Sequence, residues 1–389
     1  MRILFMMAQA YLPRQAGGVQ VVTKQLVDAF ASLGHDAAVA AEMSFKGASG
    51  MKSAAGSLLG RSFSRDHHGS QLVFRARRIS TKAGAILRAF KPDCVIVQSM
   101  DAMPLSKAVS DRGVPLVICW HDVYVGRAGG RPANVVARYV ANSHFTASVY
   151  ETEFGLRSVV IPPLVRPEMY ETTRGEDGSV TFINPVPDKG VEVAIEVAAR
   201  CPDIPFEFVE SWILESGPRR RLLKRLSALP NVRFTPHQSD VRPVYQRTRL
   251  LLAPSQVQEG WGRVASEAQV SGIPAIGSRS GGLVESIGPG GILIDPHAPA
   301  SAWCEAVRSV WGDRGLYRRL SASARAYSRR RELDPSWGVD RMLAEVRAAI
   351  ALRPVRATAM PGQDDSRRSR KGPWPAWTPR RDEPPSRAA

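Results

Sequence analysis

The chain has 389 residues, of which 44% are hydrophobic and 23% are charged, and a formal net charge of +17. This composition is typical of a soluble globular protein, and the length is too great for one ordinary hydrophobic core, so we expect two domains. No apolar run in the sequence approaches the length of about 20 residues that spans a bilayer. Residues 2–8 read as a first buried strand and not as a signal peptide.

The basic charge is concentrated in the first half of the chain, where residues 46–91 carry ten lysines and arginines against the single acid Asp66. Such a stretch attracts polyanions, including phospholipid head groups, acidic glycans and nucleic acid. Arginine-rich composition is equally typical of GC-rich bacterial genomes, so the charge alone does not choose a partner. The four cysteines lack metal-like spacing, which predicts reduced, packed thiols in a cytoplasmic protein.

Short apolar runs alternate with helical patterns along the whole chain, which predicts parallel sheets with helices on both faces. The first helical pattern, residues 19–34, follows the glycines at 17 and 18 and ends at Gly34. The predicted strands lie at 2–8, 36–42, 71–77, 93–98, 114–122 and 137–143, and after a polar stretch at 180–185, 206–211, 232–236, 250–255, 273–278 and 291–295.

Two series of strands separated by a polar stretch predict an α/β fold with two doubly wound, Rossmann-like domains that face one another across a cleft. We place the first domain at 1–165 and the second at 166–330. The helical sequence continues to about residue 351, and we expect 331–352 to pack back across the domains. Residues 353–389 are rich in proline and arginine without periodicity, which predicts disorder.

Three glycine-bearing loops follow predicted strands and precede predicted helices, where ligands bind in such folds. Gly17 and Gly18 form one pair and Gly281 and Gly282 another, and the third loop is the segment QEGWGRVASEA. None of them is a nucleotide signature by itself, because a lone Gly-Gly is more often a plain turn. In the third loop, Glu259 lies beside flexible glycine backbone, whereas Glu267 falls within the helical pattern that ends at Gly272.

Taken together, these segments resemble a known family. The segment PSQVQEGWGRVASEAQVSGIPAIGSRSGGLVESI is similar to the E-x7-E region of the retaining glycosyltransferases of family 4, which have the GT-B architecture. The segments GGVQVVTKQLVDAFASLGHDAAVA, ANSHFTASVYETEFGLRSVVIPPLV and FINPVPDKGVEVAIEVA resemble the opening loop, the inter-domain region and the start of the second domain of that family. The likeness covers nearly all of residues 1–345.

The resemblance implies that the second domain holds a nucleoside-diphosphate sugar and that the first domain holds the acceptor. It places Glu267 on the ribose diol and Glu259 on hydroxyls of the transferred sugar, since a carboxylate can accept hydrogen bonds from two neighbouring hydroxyls. Lys189 matches the phosphate lysine of the family. The alternative is structural: Glu259 caps the helix, and Glu267 is a solvated residue in its first turns.

One position departs from the family pattern. Members usually carry an arginine shortly before the lysine, but this sequence has Asn184 and Pro185 there. The departure puts the usual pair of cations on the diphosphate in doubt. The substitute cation is Arg263 or one of three arginines at 219–221, although surface arginines are the commoner explanation for such residues.

The remaining site residues are backbone donors and a histidine. We expect Gly17, Gly18, Gly260, Gly281 and Gly282 to contribute to donor binding through backbone close to the ligand. His121 ends an apolar strand and is similar to a family histidine near the donor sugar; a structural role is equally expected. The resemblance does not assign it as a general base, because the diphosphate oxygen is thought to receive the acceptor proton.

The leading hypothesis is therefore a cytoplasmic retaining glycosyltransferase of the hexosyltransferase type. We expect a UDP- or GDP-sugar donor, a glycan, lipid-linked or small-molecule acceptor, no catalytic metal and no nucleic-acid partner. The basic stretch adds the expectation of peripheral contact with an anionic inner membrane face. The alternatives are a nucleotide-sugar epimerase of the same architecture and a non-enzymatic polyanion-binding protein; against the last, the basic segments lack interleaved aromatic residues.

Overall fold

The structure is a computed structural model that describes residues 1–13, 17–43, 62–98, 100–130, 135–173 and 177–352. Two β-sheets organise this part of the chain, and each is flanked by helices on both faces. The strands of the first sheet are β1 (Arg2–Met7), β2 (Asp36–Glu42), β3 (Ser64–His68), β4 (Gln71–Ala76), β5 (Cys94–Gln98), β6 (Leu116–Trp120), β7 (Arg138–Ala141) and β8 (Val159–Val160).

The first sheet has the strand order β3-β4-β2-β1-β5-β6-β7-β8. All its pairs are parallel except β3 with β4, which form an antiparallel hairpin in which His68 pairs with Gln71. Strand β3 was not among the predicted strands, so this antiparallel edge is an addition to the predicted parallel sheet. A turn of two residues can join only antiparallel strands, and the polar sequence SRDHH of β3 carries no apolar run that would have predicted a strand.

Among the described residues, four helices accompany the first sheet in chain order: α1 (Gly18–Ser32), α2 (Ile79–Phe90), α3 (Ala102–Ser110) and α4 (His144–Phe154). Alternate residues of β1 point to opposite faces, so Phe5 packs with α1 whereas Leu4 packs with α2 and α3. Helix α4 begins with Ser143 as its N-cap, whose hydroxyl oxygen accepts a hydrogen bond from the Thr146 N–H at 2.9 Å.

The second sheet contains β9 (Ser179–Ile183), β10 (Phe206–Val209), β11 (Val232–Thr235), β12 (Thr248–Ala253), β13 (Ala275–Ser278) and β14 (Gly291–Ile294). Its order is β11-β10-β9-β12-β13-β14, and every pair is parallel. The helices that follow its strands are α5 (Val191–Arg200), α6 (Ser216–Leu226), α7 (Arg242–Gln246), α8 (Arg263–Val270), α9 (Leu283–Ile287), α10 (Ala300–Gly312) and α11 (Arg314–Ser328). The predicted class, two Rossmann-like α/β domains, is confirmed.

The last described helix, α12 (Pro335–Ala351), packs against the first sheet although it follows the second. Its buried residues Val339, Met342 and Val346 join the core that α1 shares with β1. Glu345, only 6% exposed, pairs with Arg138 of β7 at 2.7 Å. The helix thus returns to the first sheet, where these stabilising contacts lie. The predicted segment 331–352 that packs across both domains stays a prediction.

The structure tests some of the remaining expectations and leaves others as predictions. The boundary at 165/166 falls between β8 and β9 and stays a prediction. All four cysteines are buried and unpaired, as expected.

The basic stretch 46–91 lies partly outside the described residues, and the predicted disordered tail, 353–389, lies wholly outside them. Arg75 within that stretch is only 1% exposed and pairs with Asp66 at 2.7 Å, so its charge is not part of the basic surface. Among the described residues, no helix is both long and apolar enough to cross a bilayer.

Candidate active site

The centre of the site is an ion pair between two loops at the carboxyl edge of the second sheet. The Lys189 Nζ donates to Glu259 Oε1 at 2.5 Å, and the Ser255 hydroxyl donates to the same oxygen at 2.8 Å. Lys189 ends the turn after β9, and Glu259 lies on the loop after β12. The two side chains are 25% and 14% exposed. A partly shielded pair of opposite charges can therefore meet a ligand from the solvent side.

Backbone contacts hold these two loops together. The Ser255 hydroxyl also lies 3.2 Å from the carbonyl oxygen of Asp188, and the Gln256 N–H donates to that carbonyl at 3.0 Å. Ser278, at the end of β13, donates its hydroxyl proton to the Ser255 carbonyl at 2.7 Å. Residues that follow or end three neighbouring strands thus position the carboxylate of Glu259.

The Gly281–Gly282 turn supports the same loop. The Gly282 N–H donates to the Glu259 carbonyl oxygen at 2.7 Å, so this predicted phosphate donor is engaged within the protein. Gly281 has a φ of +56° and lies against the backbone of Glu259, where an added Cβ would clash. Only glycine adopts this conformation readily and leaves room for that backbone. The pair therefore shapes the Glu259 loop.

The first sheet contributes to the site through the end of β6. We call the first sheet with its helices the first lobe and the second sheet with its helices the second lobe. A Cβ on Gly260 would lie 2.5 Å from the carbonyl oxygen of His121, so the absence of a side chain lets the two lobes approach. The Asn142 side-chain amide donates to the same His121 carbonyl at 3.2 Å, and the Thr146 hydroxyl donates to the Gly260 carbonyl at 3.3 Å. The predicted residues His121, Glu259 and Gly260 thus meet between the two sheets.

His121 is neutral at physiological pH. Burial lowers the pKa of its imidazole to about 4, and the charge of Asp122 opposes this only in part. Its Nε2 lies 2.9 Å from the Gln98 Oε1, while the Gln98 amide nitrogen donates to the Thr23 hydroxyl at 2.9 Å. Because the Gln98 amide thus presents its oxygen to the ring, Nε2 carries the proton and Nδ1 is the acceptor.

The first glycine loop lies beside the start of α8. Gly17 is the N-cap residue of α1 and has extended backbone. Because glycine has no side chain, it cannot cap the helix with one. A Cβ on Gly18 would lie 3.3 Å from the Cδ of Arg263, which belongs to the second sheet's α8. The structure therefore brings Gly17, Gly18 and Arg263 to the same inter-sheet region as Glu259.

Glu267 lies in a polar cluster on α8. Its Oε1 accepts from the Arg263 Nε at 3.1 Å, and its Oε2 accepts from the Tyr245 hydroxyl at 2.9 Å. Arg263 further donates to the Leu164 carbonyl at 2.9 Å and to the Tyr170 hydroxyl at 2.8 Å. Burial, followed by the charge of Glu267, raises the pKa of Tyr170 to about 12. Both oxygens of the Glu267 carboxylate are thus engaged within the protein, by Arg263 and by Tyr245.

The candidate substitutes for the missing arginine are placed differently from one another. Arg219 donates to both carboxylate oxygens of the buried Glu210 at 3.2 Å, so its charge is already balanced. Arg220 and Arg221 are exposed on α6. Arg263 is balanced by Glu267 at 3.1 Å. Of these four arginines and Lys189, it is Lys189 that pairs with Glu259.

Sequence reasoning missed three side chains of this region: Ser255, Tyr124 and Trp212. Ser255 lay at the end of a predicted strand and near the start of the segment that resembles the E-x7-E region, but no role was assigned to it. Tyr124, 41% exposed, follows β6; burial is the largest cause that raises the pKa of its hydroxyl, and the carboxylates of Asp188 and Glu259 contribute. The ring of Trp212 lies 5.8 Å from the Lys189 Nζ. A comparison of the loops that follow neighbouring strands is the signal that could have found the two aromatic residues.

Comparison with known families agrees with this geometry. Residues 16–169 match the family model described as Glycosyltransferase Family 4, and residues 180–327 match the model described as Glycosyl transferases group 1. The chain therefore carries two glycosyltransferase domains and has the GT-B fold. The first match contains the Gly17–Gly18 loop and strands β2 to β8 of the first sheet, and the second contains Lys189, Glu259 and Glu267.

Individual curated proteins are similar to parts of this chain. A D-inositol 3-phosphate glycosyltransferase of Salinispora arenicola is 34% identical over 111 residues, which cover 28% of this chain and 24% of that protein. The chain spans only 21–37% of the length of the curated relatives it matches.

Two solved structures share the fold along most of the chain. The Anabaena protein HepE in complex with UDP is 19% identical with a TM-score of 0.71, and sucrose-phosphate synthase from Thermosynechococcus elongatus is 15% identical with a TM-score of 0.73. Each match covers 90% of this chain and 100% of the other. Within the described part of this chain, no three His, Cys, Asp or Glu side chains are grouped as metal ligands would be.

Proposed function

We propose that this glycosyltransferase moves a sugar from a nucleoside-diphosphate sugar to a hydroxyl acceptor with retention of configuration at the anomeric carbon. The observation that carries the proposal is the Lys189–Glu259 ion pair, which lies beside the first lobe's His121 backbone through Gly260. A cation beside a carboxylate suits a donor whose diphosphate is anionic and whose sugar offers hydroxyl donors.

The proposed roles follow from the chemistry of each group. Lys189 neutralises the leaving diphosphate, and Glu259 accepts hydrogen bonds from hydroxyls of the transferred sugar. Glu267 accepts from the ribose hydroxyls. Glu259 is already engaged by Lys189 and Ser255, which favours a hydrogen-bonding role over that of a nucleophile. Neutral His121 serves as a fixed polar group at the sugar and not as an acid.

The proposed reaction needs no base from the protein. The bond between the acceptor oxygen and the anomeric carbon forms on the face from which the diphosphate oxygen leaves. The proton of the acceptor hydroxyl passes to that departing oxygen, which becomes part of the released nucleoside diphosphate. Stabilisation of this leaving group by fixed charge is worth several kcal/mol of the barrier in comparable sites, about 3–4 kcal/mol for one donor.

A UDP-sugar is the proposed donor and a phosphorylated polyol or glycan the proposed acceptor. In support, the similar Anabaena protein has been solved with UDP-glucose, and the curated relatives are named for D-inositol 3-phosphate. The test is a panel assay that measures release of the nucleoside diphosphate from UDP-, GDP-, ADP- and dTDP-sugars with polyol-phosphate and glycan acceptors. Proton NMR of the product gives the anomeric configuration, and an inverted product would reject the retaining step.

The same assay separates the proposal from epimerisation. An epimerase changes the sugar of the donor when no acceptor is present, whereas a transferase leaves that sugar unchanged and requires an acceptor for fast turnover. Conversion of the donor to an isomer without an acceptor would therefore contradict the proposal.

We further propose that the enzyme works in the cytoplasm and contacts an anionic membrane through the basic side of its first domain. In the described residues this side includes the exposed Arg77, Arg78, Arg88 and Lys91 on and beside α2. Sedimentation with anionic vesicles at low and high salt tests the contact, with neutral vesicles as the control. Binding that is indifferent to vesicle charge would contradict it.

A further inference from the structure

Asn184, which stands where the family usually has an arginine, connects two strand ends. Its backbone is left-handed with a φ of +74°, and its side chain is buried. Its N–H donates to the Val209 carbonyl at 2.8 Å, and its Oδ1 accepts from the Trp212 N–H at 3.1 Å. Asparagine is one of the few residues that adopt this conformation at low cost. Asn184 thus holds the loop after β10 against the end of β9.

The loop that Asn184 holds presents an apolar rim to solvent. Trp212 is 44% exposed and Ile213 is 80% exposed, although Phe206 and Phe208 of the preceding strand are fully buried. The indole ring lies 5.8 Å from the Lys189 Nζ. Two neighbouring exposed apolar side chains at a charged site indicate a contact surface for a ligand.

The strand order predicts which part of a ligand meets this rim. In the second sheet β12, β9 and β10 are neighbours, and strands in a sheet lie about 4.8 Å apart. Glu259 follows β12, Lys189 follows β9 and Trp212 follows β10. When the sugar lies at Glu259 and the diphosphate at Lys189, the nucleoside continues towards Trp212.

We propose that Trp212 stacks its indole on the nucleobase of the donor and that Asn184 positions it for this contact. The inference rests on the proposed function, since it takes Lys189 and Glu259 as the diphosphate and sugar positions. A planar aromatic ring stacks on every base, so this wall favours nucleoside diphosphates as a class and does not select uracil over guanine. The arrangement gives the site apolar contact where the family pattern has a second cation.

The test uses UDP as the probe and Trp212→Phe and Trp212→Ala as the variants. We expect UDP to change the tryptophan fluorescence of the wild-type protein, and this change to be lost in both variants. By calorimetry, Trp212→Ala should raise the Kd for UDP and for GDP about 10-fold. Trp337→Phe is the matched control, because Trp337 is a half-exposed tryptophan at the start of α12; it should keep the fluorescence change and the wild-type Kd.

Asn184→Gly tests the positioning role, because glycine keeps the left-handed backbone and removes only the side-chain oxygen. We expect this variant to lose part of the fluorescence change and to add little to the effect of Trp212→Ala in the double variant. Wild-type UDP affinity in Trp212→Ala would overturn the inference and leave the proposed function intact. A variant weakened for UDP-glucose but not for UDP would overturn the placement at the base. A wild-type protein that binds no nucleotide would overturn the donor assignment and this inference with it.

Discussion

Lys189 and Glu259 are 70 positions apart in the chain, yet the lysine Nζ and the carboxylate Oε1 lie 2.5 Å apart. The parallel sheet brings about this contact, because β9 and β12 are neighbours and their carboxyl ends meet at one edge. The pair balances its own charge when no ligand is bound. A donor with a diphosphate and sugar hydroxyls can exchange these contacts for equivalent ones, which is why we propose the pair as the binding centre.

Glu259→Gln should lower turnover more than donor affinity. The amide keeps the size of the side chain and its hydrogen bond from Ser255 but removes the charge that favours sugar hydroxyl donors. We expect kcat to fall about 100-fold, as for the loss of one transition-state contact, while the Kd for UDP changes little. Steady-state assays and calorimetry measure the two quantities. An unchanged kcat would contradict the role of Glu259.

Glu267 has two roles that two substitutions can separate. Glu267→Ala leaves the guanidinium of Arg263, 11% exposed, without its carboxylate, so the free energy of unfolding should fall by about 2 kcal/mol or more. Glu267→Gln keeps one oxygen that can accept from Arg263, and its amide nitrogen can donate to the Tyr245 hydroxyl oxygen, so this variant should lose less stability than Glu267→Ala. Both variants should bind UDP more weakly, as measured by calorimetry. Wild-type affinity in the stable Gln variant would restrict Glu267 to a structural role.

Glu285 joins the two lobes through the start of α4. Its two carboxylate oxygens accept from the His144 N–H at 2.8 Å and the Phe145 N–H at 2.7 Å. These two N–H groups lie at a helix N-terminus and have no partner within the helix. Loss of their hydrogen bonds in Glu285→Ala should therefore lower the free energy of unfolding by about 1 kcal/mol and the Tm by roughly 2–4 °C. Thermal unfolding measures this, with the exposed Glu305→Ala as control. An equal Tm in both variants would show that the inter-lobe contact contributes nothing.

Stability should fall on acidification because of His121. The pKa of its imidazole is lowered from 6.5 to about 4 by burial, so between these values the unfolded chain binds a proton that the folded protein does not. The contribution is therefore fully present above pH 6.5 and is lost as the pH falls towards 4, with a magnitude on the order of 3 kcal/mol. Urea unfolding at pH 7 and pH 5 should show a larger loss for wild type than for His121→Gln. Equal losses would mean that His121 is not held neutral by the fold.

The fold was largely predictable because its strands are continuous apolar runs, such as RILFMM in β1 and CVIVQ in β5. Burial on both faces of a parallel sheet imposes this pattern. Strand β3 has no such run, since a hairpin edge next to solvent accepts polar residues. Arg75 was counted as surface charge because its pairing with Asp66 and its contact with the Leu12 carbonyl at 2.7 Å depend on the folded chain.

The site was predictable where a local motif carries it and not elsewhere. The spacing of Glu259 and Glu267 is visible in the sequence, as is the glycine pair that shapes their loop. Contacts such as Glu285 with His144, or Asn184 with Trp212, join residues with no shared motif. Their positions follow from the order of strands in the sheet, which apolar periodicity does not encode.

The most direct test of the central claim is the calorimetric titration of UDP-glucose into wild type, Lys189→Met and the exposed control Lys91→Met. We expect wild type and the Lys91 variant to bind with equal Kd and the Lys189 variant to bind at least about 10-fold more weakly, because the diphosphate loses its adjacent cation. Circular dichroism confirms that all three proteins are folded. Equal binding by all three, or no binding of UDP-, GDP-, ADP- or dTDP-sugars by wild type, would contradict a donor site at Lys189 and Glu259.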